Sequence, residues 1–359
     1  MRFCKAKAQC FRLFHEFSFE PHTRLNFVIG ANAAGKTSLL EALYVASRGD
    51  SHRGAAASLA TDGASSFQVE AIVSVASDRP NARIDVRWQD RRMQVRINDQ
   101  AAGLSELVRQ MPVLLVDPLA HRLIEEGPGI RRRFIDWGVF HMEQSFHPLW
   151  RRFNRALKQR NAALRAQASQ REIDSWSPEL IATADALTAL RLSYVEKLAA
   201  LVPTCWRQLV DETGWSLSFA RGWRDSESYA DTLSRTLESD RNAGHTREGP
   251  HRAELRVLSD NSLLKERISR GQQKLLIAGL MLAQGELYRQ RHEDTPVLLL
   301  DDFAAELSPL SQQRLLAQLE IWPGQSIVTA LEYSPLLQAV PDHAMFHVEH
   351  GEITLKKTT

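Results

Sequence analysis

A glycine-rich loop between a predicted strand and a predicted helix constrains this chain more than any other feature. Residues 30–37 have the sequence GANAAGKT, which fits the pattern G-x-x-x-x-G-K-[ST]. The apolar run 25–29 before the loop is typical of a buried strand, and residues 38–46 after it have helical character. In such a loop, backbone N–H groups and the helix N-terminus bind the phosphates of a nucleoside triphosphate. The sequence therefore predicts an α/β sheet that carries a phosphate-binding loop.

Two residues at the end of this loop have distinct expected roles. We expect Lys36 to contact the β- and γ-phosphates and Thr37 to bind Mg²⁺. The other loop residues expected to contact the nucleotide are Gly30, Ala31, Asn32, Ala33, Ala34 and Gly35. The expected cofactors are therefore ATP and Mg²⁺.

An apolar run that ends in two acids supplies the second part of the predicted site. Residues 297–300 are Val-Leu-Leu-Leu, and Asp301 and Asp302 follow directly. At the C-terminal end of a parallel strand, Asp301 would face the Mg²⁺ held by Thr37, and Asp302 would polarise the attacking water. A strand that simply ends in an acidic turn is the alternative.

A second candidate anion site precedes that strand. Residues 268–274 have the sequence ISRGQQK, and a strong helix is predicted from Lys274 to about Arg289. Ser269 and the amide of Gly271 would lie at a helix N-terminus, where anions bind. One triphosphate does not need two phosphate cradles from one chain. We therefore expect this element to cap the γ-phosphate bound by a second copy, which predicts an ATP-dependent homodimer.

Composition and local charge narrow the class of protein. With 43% hydrophobic and 25% charged residues, the chain has the composition of a packed globular protein. Its apolar runs are too short to span a membrane, and its N-terminus lacks the apolar stretch of a signal peptide, so we expect a cytoplasmic protein without a membrane partner. The three cysteines lack metal-ligand spacing, and we expect no disulfide and no structural metal.

A long basic segment has two interpretations. Between Gln144 and Arg171 there are seven basic residues and no acidic one, and three arginines at 131–133 lie upstream. The segment is either a binding surface for a polyanion or a solvated helix face.

Two helices are predicted in this part of the chain. A basic helix is predicted over 148–169, and a second helix begins near Ser177 and is closed by Pro203. These helices form an antiparallel arm, or the second helix faces the main core. Residues 214–249 are polar and show no clear periodicity.

In combination, these motifs resemble the bacterial RecF family of recombination mediators, which have an ABC-type, SMC-like ATPase head. The matching segments span nearly the whole chain in order: 11–12, 30–37, 40–42, 51–53, 132–138, 249–252, 269–276 and 300–307. The resemblance implies an α/β fold, namely an ABC-type P-loop ATPase head with a mixed or parallel sheet and an inserted α-helical arm. It implies an N-terminal head part at 1–130, an arm at 131–248, and a C-terminal head part with the signature and Walker B elements at 249–359.

The resemblance also implies a function. Family members bind DNA, dimerise when ATP is present, and act with mediator proteins of the RecO and RecR type to load recombinase at junctions between single- and double-stranded DNA. For this chain it implies an ATP-dependent clamp of recombinational repair and replication restart that supports SOS induction, with weak DNA-stimulated ATPase activity. The residue roles it implies are catalysis by Lys36 and Asp302, metal binding by Thr37 and Asp301, a partner-facing signature at Ser269, Gly271 and Gln272, and DNA binding by Arg131, Arg132, Arg133, Arg151, Arg152 and Arg155.

Several positions depart from the family pattern. Ala33 and Ala34 replace the more usual Gly-Ser, so a loop position that needs a positive φ would be strained. Ser308 stands where an aspartate is common, residues 111–114 lack the usual Mg²⁺-binding glutamine, and residues 326–330 lack the switch histidine. Thr329 is the residue there whose hydroxyl we expect to contact the γ-phosphate. With fewer ligands for metal and water, we expect slow hydrolysis.

Three other classes of P-loop protein are weaker candidates. A nucleotide-binding subunit of a membrane transporter would have a shorter separation than the 233 positions between Lys36 and Ser269. A chromosome-structuring or break-repair ATPase would have long heptad repeats between the two elements. A simple P-loop kinase would have no use for the element at Ser269.

Overall fold

The structure, a computed structural model, describes residues 1–74, 80–211, 214–259, 262–264 and 268–356. The chain divides into two compact units: Met1–Ala120, Gln208–Val210 and Ser269–Thr359 form the first, and His121–Arg207 and Asp211–Ile268 form the second. The second unit extends beyond both predicted limits of the arm, residues 131 and 248. The three-segment division stays a prediction.

The elements in chain order are β1 (Arg2–Phe11), β2 (Phe14–Phe19), β3 (Leu25–Ile29), α1 (Lys36–Arg48), β4 (Phe67–Ser74), β5 (Ala82–Gln89), β6 (Arg92–Ile97), β7 (Gln100–Ala101), α2 (Leu104–Gln110), β8 (Val113–Val116), α3 (Arg122–Glu125), α4 (Pro128–Met142), α5 (Phe146–Arg165), α6 (Gln170–Asp174), α7 (Ser177–Leu209), β9 (Trp215–Ala220), α8 (Tyr229–Ala243), β10 (Glu254–Ser259), β11 (Ser262–Leu263), α9 (Arg270–His292), β12 (Val297–Leu300), α10 (Pro309–Ile321), β13 (Ser326–Ala330), α11 (Pro335–Gln338), β14 (His343–Glu349) and β15 (Glu352–Lys356). In the described part of the chain, no helix is both long and apolar enough to cross a bilayer.

The first unit contains two six-stranded sheets around a shared core. One sheet is antiparallel, with the strand order β2-β1-β4-β5-β6-β7, and the other has the order β15-β14-β3-β13-β12-β8. In the second sheet β14, β3, β13, β12 and β8 run parallel and β15 is antiparallel, as the predicted mixed or parallel sheet requires. Buried side chains of α1 and of both sheets form one hydrophobic cluster. The parallel strands bring the segments after β3, β12, β13 and β8 to the same edge of the sheet.

The second unit combines helices with a small sheet that the sequence analysis missed. The antiparallel strands β11-β10-β9 form this sheet, so the unit is not purely helical. Helix α4 packs closely on α7, because a Cβ at Gly138 would lie only 2.0 Å from Cζ of Tyr194. The guanidinium of Arg191 donates to both carboxylate oxygens of Asp136 at 2.8 and 2.9 Å, which joins the same two helices.

One prediction about the helices of this unit is wrong. Helix α7 does not end at Pro203 but continues to Leu209. Buried apolar side chains beyond the proline explain this, since Trp206 and Leu209 are buried and the ring of Trp206 meets that of Trp215 edge-on. An exposed ion pair between Arg152 and Glu179 joins α5 to the start of α7, and the antiparallel arrangement of these two helices stays a prediction.

Candidate nucleotide-binding site

The phosphate-binding loop lies between β3, which is buried along its whole length, and α1. Two of its positions accept only glycine. A Cβ at Gly30 would lie 2.3 Å from the carbonyl oxygen of Val348, and Gly35 has a φ of 117°. Gly35 also occupies the N-cap of α1, where no side chain caps the helix. The first N–H groups of α1 are therefore open to an anion.

One of the two alanines that replace the more usual Gly-Ser in the loop occupies the strained backbone conformation anticipated from the sequence. Ala33 has a φ of 63°, in the left-handed region that costs a residue with a Cβ about 1 kcal/mol or more. Ala34 has no positive φ and donates its N–H to the carbonyl oxygen of Ala31 at 3.2 Å. The cost of replacing glycine is therefore confined to Ala33.

Lys36 is held against the loop that it follows. Its Nζ donates to the carbonyl oxygens of Gly30 at 2.7 Å and Ala31 at 2.9 Å. Burial lowers the pKa of Lys36, and the negative charges of Asp302 and Asp301 oppose that shift. The ammonium group thus lies between the loop and Asp301 and Asp302, the two carboxylates predicted to form the second part of the site.

Thr37 and Asp301 meet although 264 positions separate them in the chain. The Thr37 hydroxyl donates to Oδ2 of Asp301 at 2.8 Å. Asp301 follows β12 directly and is 2% exposed. A hydroxyl and a carboxylate in contact are hard oxygen donors of the kind that Mg²⁺ prefers. The residues present therefore fit the expected metal.

Thr329 does not do what we expected of it. Its side chain is fully buried at the end of β13, where its hydroxyl donates to Oδ1 of Asp301 at 2.5 Å and accepts from the backbone N–H of Asp302 at 2.7 Å. The single hydroxyl proton is therefore committed to Asp301. The expected contact with a γ-phosphate is wrong, because Thr329 holds a carboxylate oxygen of Asp301 and the backbone N–H of Asp302 instead.

Asp117 is a residue of this region that the sequence analysis missed. It follows β8, which pairs with β12 in parallel, and the N–H of Asp301 donates to the carbonyl oxygen of Val116 at 2.8 Å. Burial and the neighbouring Asp301 raise the pKa of Asp117 to about 6. Nε2 of His52 lies 3.4 Å from Oδ2 of Asp117, and burial lowers the pKa of His52 to about 4. The sequence signal for Asp117 is the same as for Asp301, since β8 and β12 are parallel and both are followed directly by an aspartate.

Three segments that carry the family resemblance meet at Glu41. This fully buried carboxylate accepts from Nε and Nη2 of Arg12, each at 2.8 Å, and from the hydroxyl of Ser51. A buried carboxylate with a bidentate arginine is a strong and geometrically specific contact. It ties β1 and the segment after α1 to the helix that begins at the phosphate-binding loop.

The signature element lies on the surface of the first unit. Ser269 is exposed and forms the N-cap of α9. Its hydroxyl accepts from the N–H of Gln272 at 3.3 Å, and the Oε1 of Gln272 accepts from the N–H of Ser269 at 2.8 Å, which completes a capping box. The Ser269 hydroxyl donates to no acceptor in the described part of the chain, so its proton can bind an external acceptor. A buried Ser269 would have excluded contact with a second copy.

The first two predicted DNA-binding arginines are occupied by contacts within the second unit. Arg131 donates to the carboxylate of Glu254 at 2.7 and 3.1 Å and to the carbonyl oxygens of Leu123 and Glu126. Arg132 donates to the carbonyl oxygen of Ala253 at 2.7 Å, and burial lowers its pKa. These contacts hold both guanidinium groups against the second unit, and both residues are half-buried.

The other predicted arginines are exposed. Arg133, Arg151 and Arg155 lie on the surfaces of α4 and α5. Arg152 is also exposed but donates to both carboxylate oxygens of Glu179 at 2.7 and 3.0 Å. Arg160, which belongs to the same basic segment, is only 1% exposed and pairs with Asp240 at 2.9 Å. The segment is therefore in part a structural feature and in part a free basic surface.

The comparisons with known proteins agree with this geometry. The sequence profile of the RecF/RecN/SMC N terminal domain family matches residues 5–354. A DNA replication and repair protein RecF from Stenotrophomonas maltophilia is 38% identical over 349 residues, covering 95% of this chain and 96% of the relative. The protein of the same name from Shewanella piezotolerans is 34% identical and covers 97% of each chain.

Solved structures share the fold. A structure described as the recombination mediator protein RecF-ATP in the RecFOR pathway superimposes with a TM-score of 0.88 at 22% identity, covering 99% of this chain and 97% of that one. An Smc head bound to the C-winged helix domain of ScpA superimposes with a TM-score of 0.60 at 14% identity, covering 99% of this chain and 97% of that one. These likenesses confirm the predicted ABC-type head fold, and together with the matches over nearly the full length they show that the chain belongs to the RecF family.

Proposed function

We propose that this chain is an ATP-controlled, DNA-binding clamp of recombinational DNA repair and replication restart. The observation that carries the proposal is the contact of Thr37 with Asp301 beside an uncapped helix N-terminus, on the unit that also exposes Ser269. Its relatives are named DNA replication and repair proteins, and the RecF structure it resembles is described as an ATP complex of a recombination mediator. A membrane-transporter subunit, the alternative considered from the sequence, finds no support in these matches.

In the proposed nucleotide site each residue has one task. The loop amides of residues 30–37 and the ammonium of Lys36 hold the triphosphate, and Asp302 orients and polarises the attacking water. Thr37 and Asp301 hold Mg²⁺, which neutralises phosphate charge when bound. Because residues 111–114 and 326–330 lack the usual glutamine and histidine ligands, we expect weak ATPase activity. The family resemblance implies that DNA stimulates this activity.

The proposed clamp forms because each copy completes the site of the other. The exposed Ser269, with Gly271 and Gln272, contacts the γ-phosphate bound by the second copy, where the first turn of α9 offers its N–H groups. Hydrolysis removes the shared ligand and loosens the pair. Since ATP then binds the pair more tightly than the single copy, ATP binding and association strengthen each other.

The proposed DNA contacts come from the exposed basic side chains of the second unit. Arg133, Arg151 and Arg155 contact phosphates of single- and double-stranded DNA without reading its sequence. Arg152 joins them when its exposed ion pair with Glu179 opens, which costs little. Arg131 and Arg132 are left out because their guanidinium groups are occupied. In the cytoplasm, the joined pair would act with mediators of the RecO and RecR type to load recombinase at gaps and to support SOS induction.

Sedimentation velocity with and without ATP and Mg²⁺ tests the proposal. We expect the wild type to dimerise with ATP, Lys36→Ala to stay monomeric, and Asp302→Asn to remain dimeric after the wild type has hydrolysed its ATP. Lys7→Ala is the matched control, because Lys7 is exposed on the antiparallel sheet and away from the loop. Equal ATP-dependent dimerisation of the wild type and Lys36→Ala would overturn the proposal.

A further inference from the structure

A buried lysine connects the signature helix to the segment that carries the catalytic carboxylate. Lys274 lies in the second turn of α9 and is 8% exposed. Its Nζ donates to the backbone carbonyl oxygen of Asp302 and, at 3.1 Å, to that of Ala305. The charges of Asp302, Glu306 and Asp301 attract the ammonium group, while burial lowers its pKa. None of the tasks assigned above uses this side chain.

The segment that Lys274 holds is a compact turn with a strained backbone. Residues 302–307 connect β12 to the start of α10, where Ser308 forms the N-cap. Asp302 has a φ of 55° and Glu306 a φ of 65°, both in the left-handed region that disfavours residues with a Cβ. Such conformations persist only when surrounding contacts hold them. The two bonds from Lys274 are contacts of this kind.

The start of α9 also packs directly on this turn. A Cβ at Gly271 would lie 2.4 Å from the carbonyl oxygen of Glu306, so backbone meets backbone there. Ser269, Gly271 and Lys274 thus lie within one and a half turns at the start of α9. One end of this segment is exposed at Ser269, and the other end contacts the turn of Asp302 through Lys274. A displacement at one end of this short segment reaches the other through rigid helix.

We propose that Lys274 is a positioning residue that couples Ser269 to Asp302 within one chain. The inference rests on the proposed function, in which Ser269 contacts nucleotide held by the second copy. When Ser269 of one copy contacts nucleotide held by the second copy, Lys274 of that first copy orders the turn that carries its own Asp302. Because the arrangement is reciprocal, the two sites of a pair hydrolyse ATP cooperatively rather than independently.

A mixed pair tests this coupling directly. One copy carries Lys36→Ala and an isotopic label, and the other carries Asp302→Asn without a label, so that ATP occupies only the unlabelled copy. We expect amide hydrogen exchange at residues 302–307 of the labelled copy to slow by about tenfold when the pair forms, within the range of ordinary coupling free energies. Adding Lys274→Met to the labelled copy should remove most of that protection, and Lys274→Arg should restore it, since a guanidinium still donates two hydrogen bonds.

A second readout covers the case in which Lys274→Met does not fold. In pairs that are covalently cross-linked, so that association no longer contributes, steady-state hydrolysis against ATP concentration should give a Hill coefficient near 2 for the wild type and near 1 for Lys274→Gln, with Lys7→Gln as the control. A merely structural lysine would lower stability without changing the Hill coefficient. Protection that persists in Lys274→Met, or a Hill coefficient unchanged in Lys274→Gln, would overturn the inference. Failure of the wild type itself to dimerise with ATP would overturn the proposed function instead.

Discussion

The hydroxyl of Thr329 lies 2.5 Å from Oδ1 of Asp301, at the buried end of the mixed sheet. Since the Thr37 hydroxyl binds the other carboxylate oxygen, one threonine from the start of α1 and one from β13 hold Asp301 from both sides. The Thr329 hydroxyl also accepts from the N–H of Asp302. The carboxylate of Asp301 and the backbone of Asp302 are therefore both held by a residue that contacts no nucleotide in our proposal.

We predict that Thr329→Val lowers the free energy of unfolding by about 1–3 kcal/mol, because it leaves a buried carboxylate oxygen and a backbone N–H without their partner. Thr329→Ser keeps the hydroxyl and should cost only about 1 kcal/mol for the lost methyl group. Urea unfolding of the nucleotide-free protein measures both. Equal losses in the two variants would show that the hydroxyl contributes nothing.

The strained Ala33 and its unstrained neighbour make a matched pair. Ala33→Gly relieves a φ of 63° and should leave stability unchanged or raise it, because about 1–2 kcal/mol of strain exceeds the entropic cost of glycine. Ala34→Gly relieves nothing and should lower stability by about 0.5–1 kcal/mol. Thermal unfolding compares the two, and a larger loss in Ala33→Gly would contradict the assignment of strain.

Asp117 is predicted to destabilise the nucleotide-free protein at neutral pH. Its folded-state pKa of about 6 lies above the unfolded value of 3.8, so the folded protein retains the proton longer and stability falls as the pH rises through that interval. His52 offers no compensating charge at pH 7, because its pKa is about 4. Asp117→Asn should therefore raise the free energy of unfolding by about 2 kcal/mol at pH 7.5. The gain should be smaller at pH 5, and a gain independent of pH would contradict this explanation.

Much of the candidate site was predictable because it depends on local pattern and on one rule about parallel sheets. The strand, loop and helix around residues 30–37 are contiguous in sequence, and strands that end at one edge bring Asp301 to Thr37. The contacts of Thr329 were not predictable, since they require β13 to lie between β3 and β12. Strand order is a tertiary property that no local pattern contains.

The second unit was predicted less well, for two different physical reasons. Helix α8 lies in the stretch that showed no periodicity, although Ser228 caps its start by accepting from the N–H of Asp231 and Gly244 ends it with a φ of 68°. These capping signals were present and would have located the helix. The continuation of α7 through Pro203 had no local signal, because buried packing of Trp206 overrides the proline there.

Replacing Arg133, Arg151 and Arg155 together by alanine should weaken DNA binding and reduce its salt dependence. Each phosphate contact contributes about 0.9 to the slope of log affinity against log salt on duplex DNA, so the slope should fall by about 2–3. A triple substitution of the exposed Arg91, Arg92 and Arg96 on the antiparallel sheet is the matched control. Fluorescence anisotropy over a salt series measures the slope, and an unchanged slope would remove these arginines from the DNA surface.

His251 is predicted to make the second unit sensitive to mild acid. Its Nε2 donates to the carbonyl oxygen of Thr246 at 2.9 Å, while its Nδ1 is buried and finds no hydrogen-bond partner among the described residues. Burial lowers the pKa of His251 to about 4. The folded-state pKa thus lies below the unfolded value of 6.5, so the unfolded chain binds the proton first. Stability from this group is complete above pH 6.5 and is lost as the pH falls toward 4.

We therefore expect the wild type to lose about 2 kcal/mol more than His251→Gln when the free energy of unfolding is compared at pH 7 and pH 5. Glutamine preserves a donor for the carbonyl of Thr246 but cannot be protonated, so the comparison isolates the titration from the hydrogen bond. Unfolding followed by tryptophan fluorescence suits this test, since Trp206, Trp215 and Trp223 are buried in the second unit. Equal acid sensitivity of the two proteins would assign the effect to other groups.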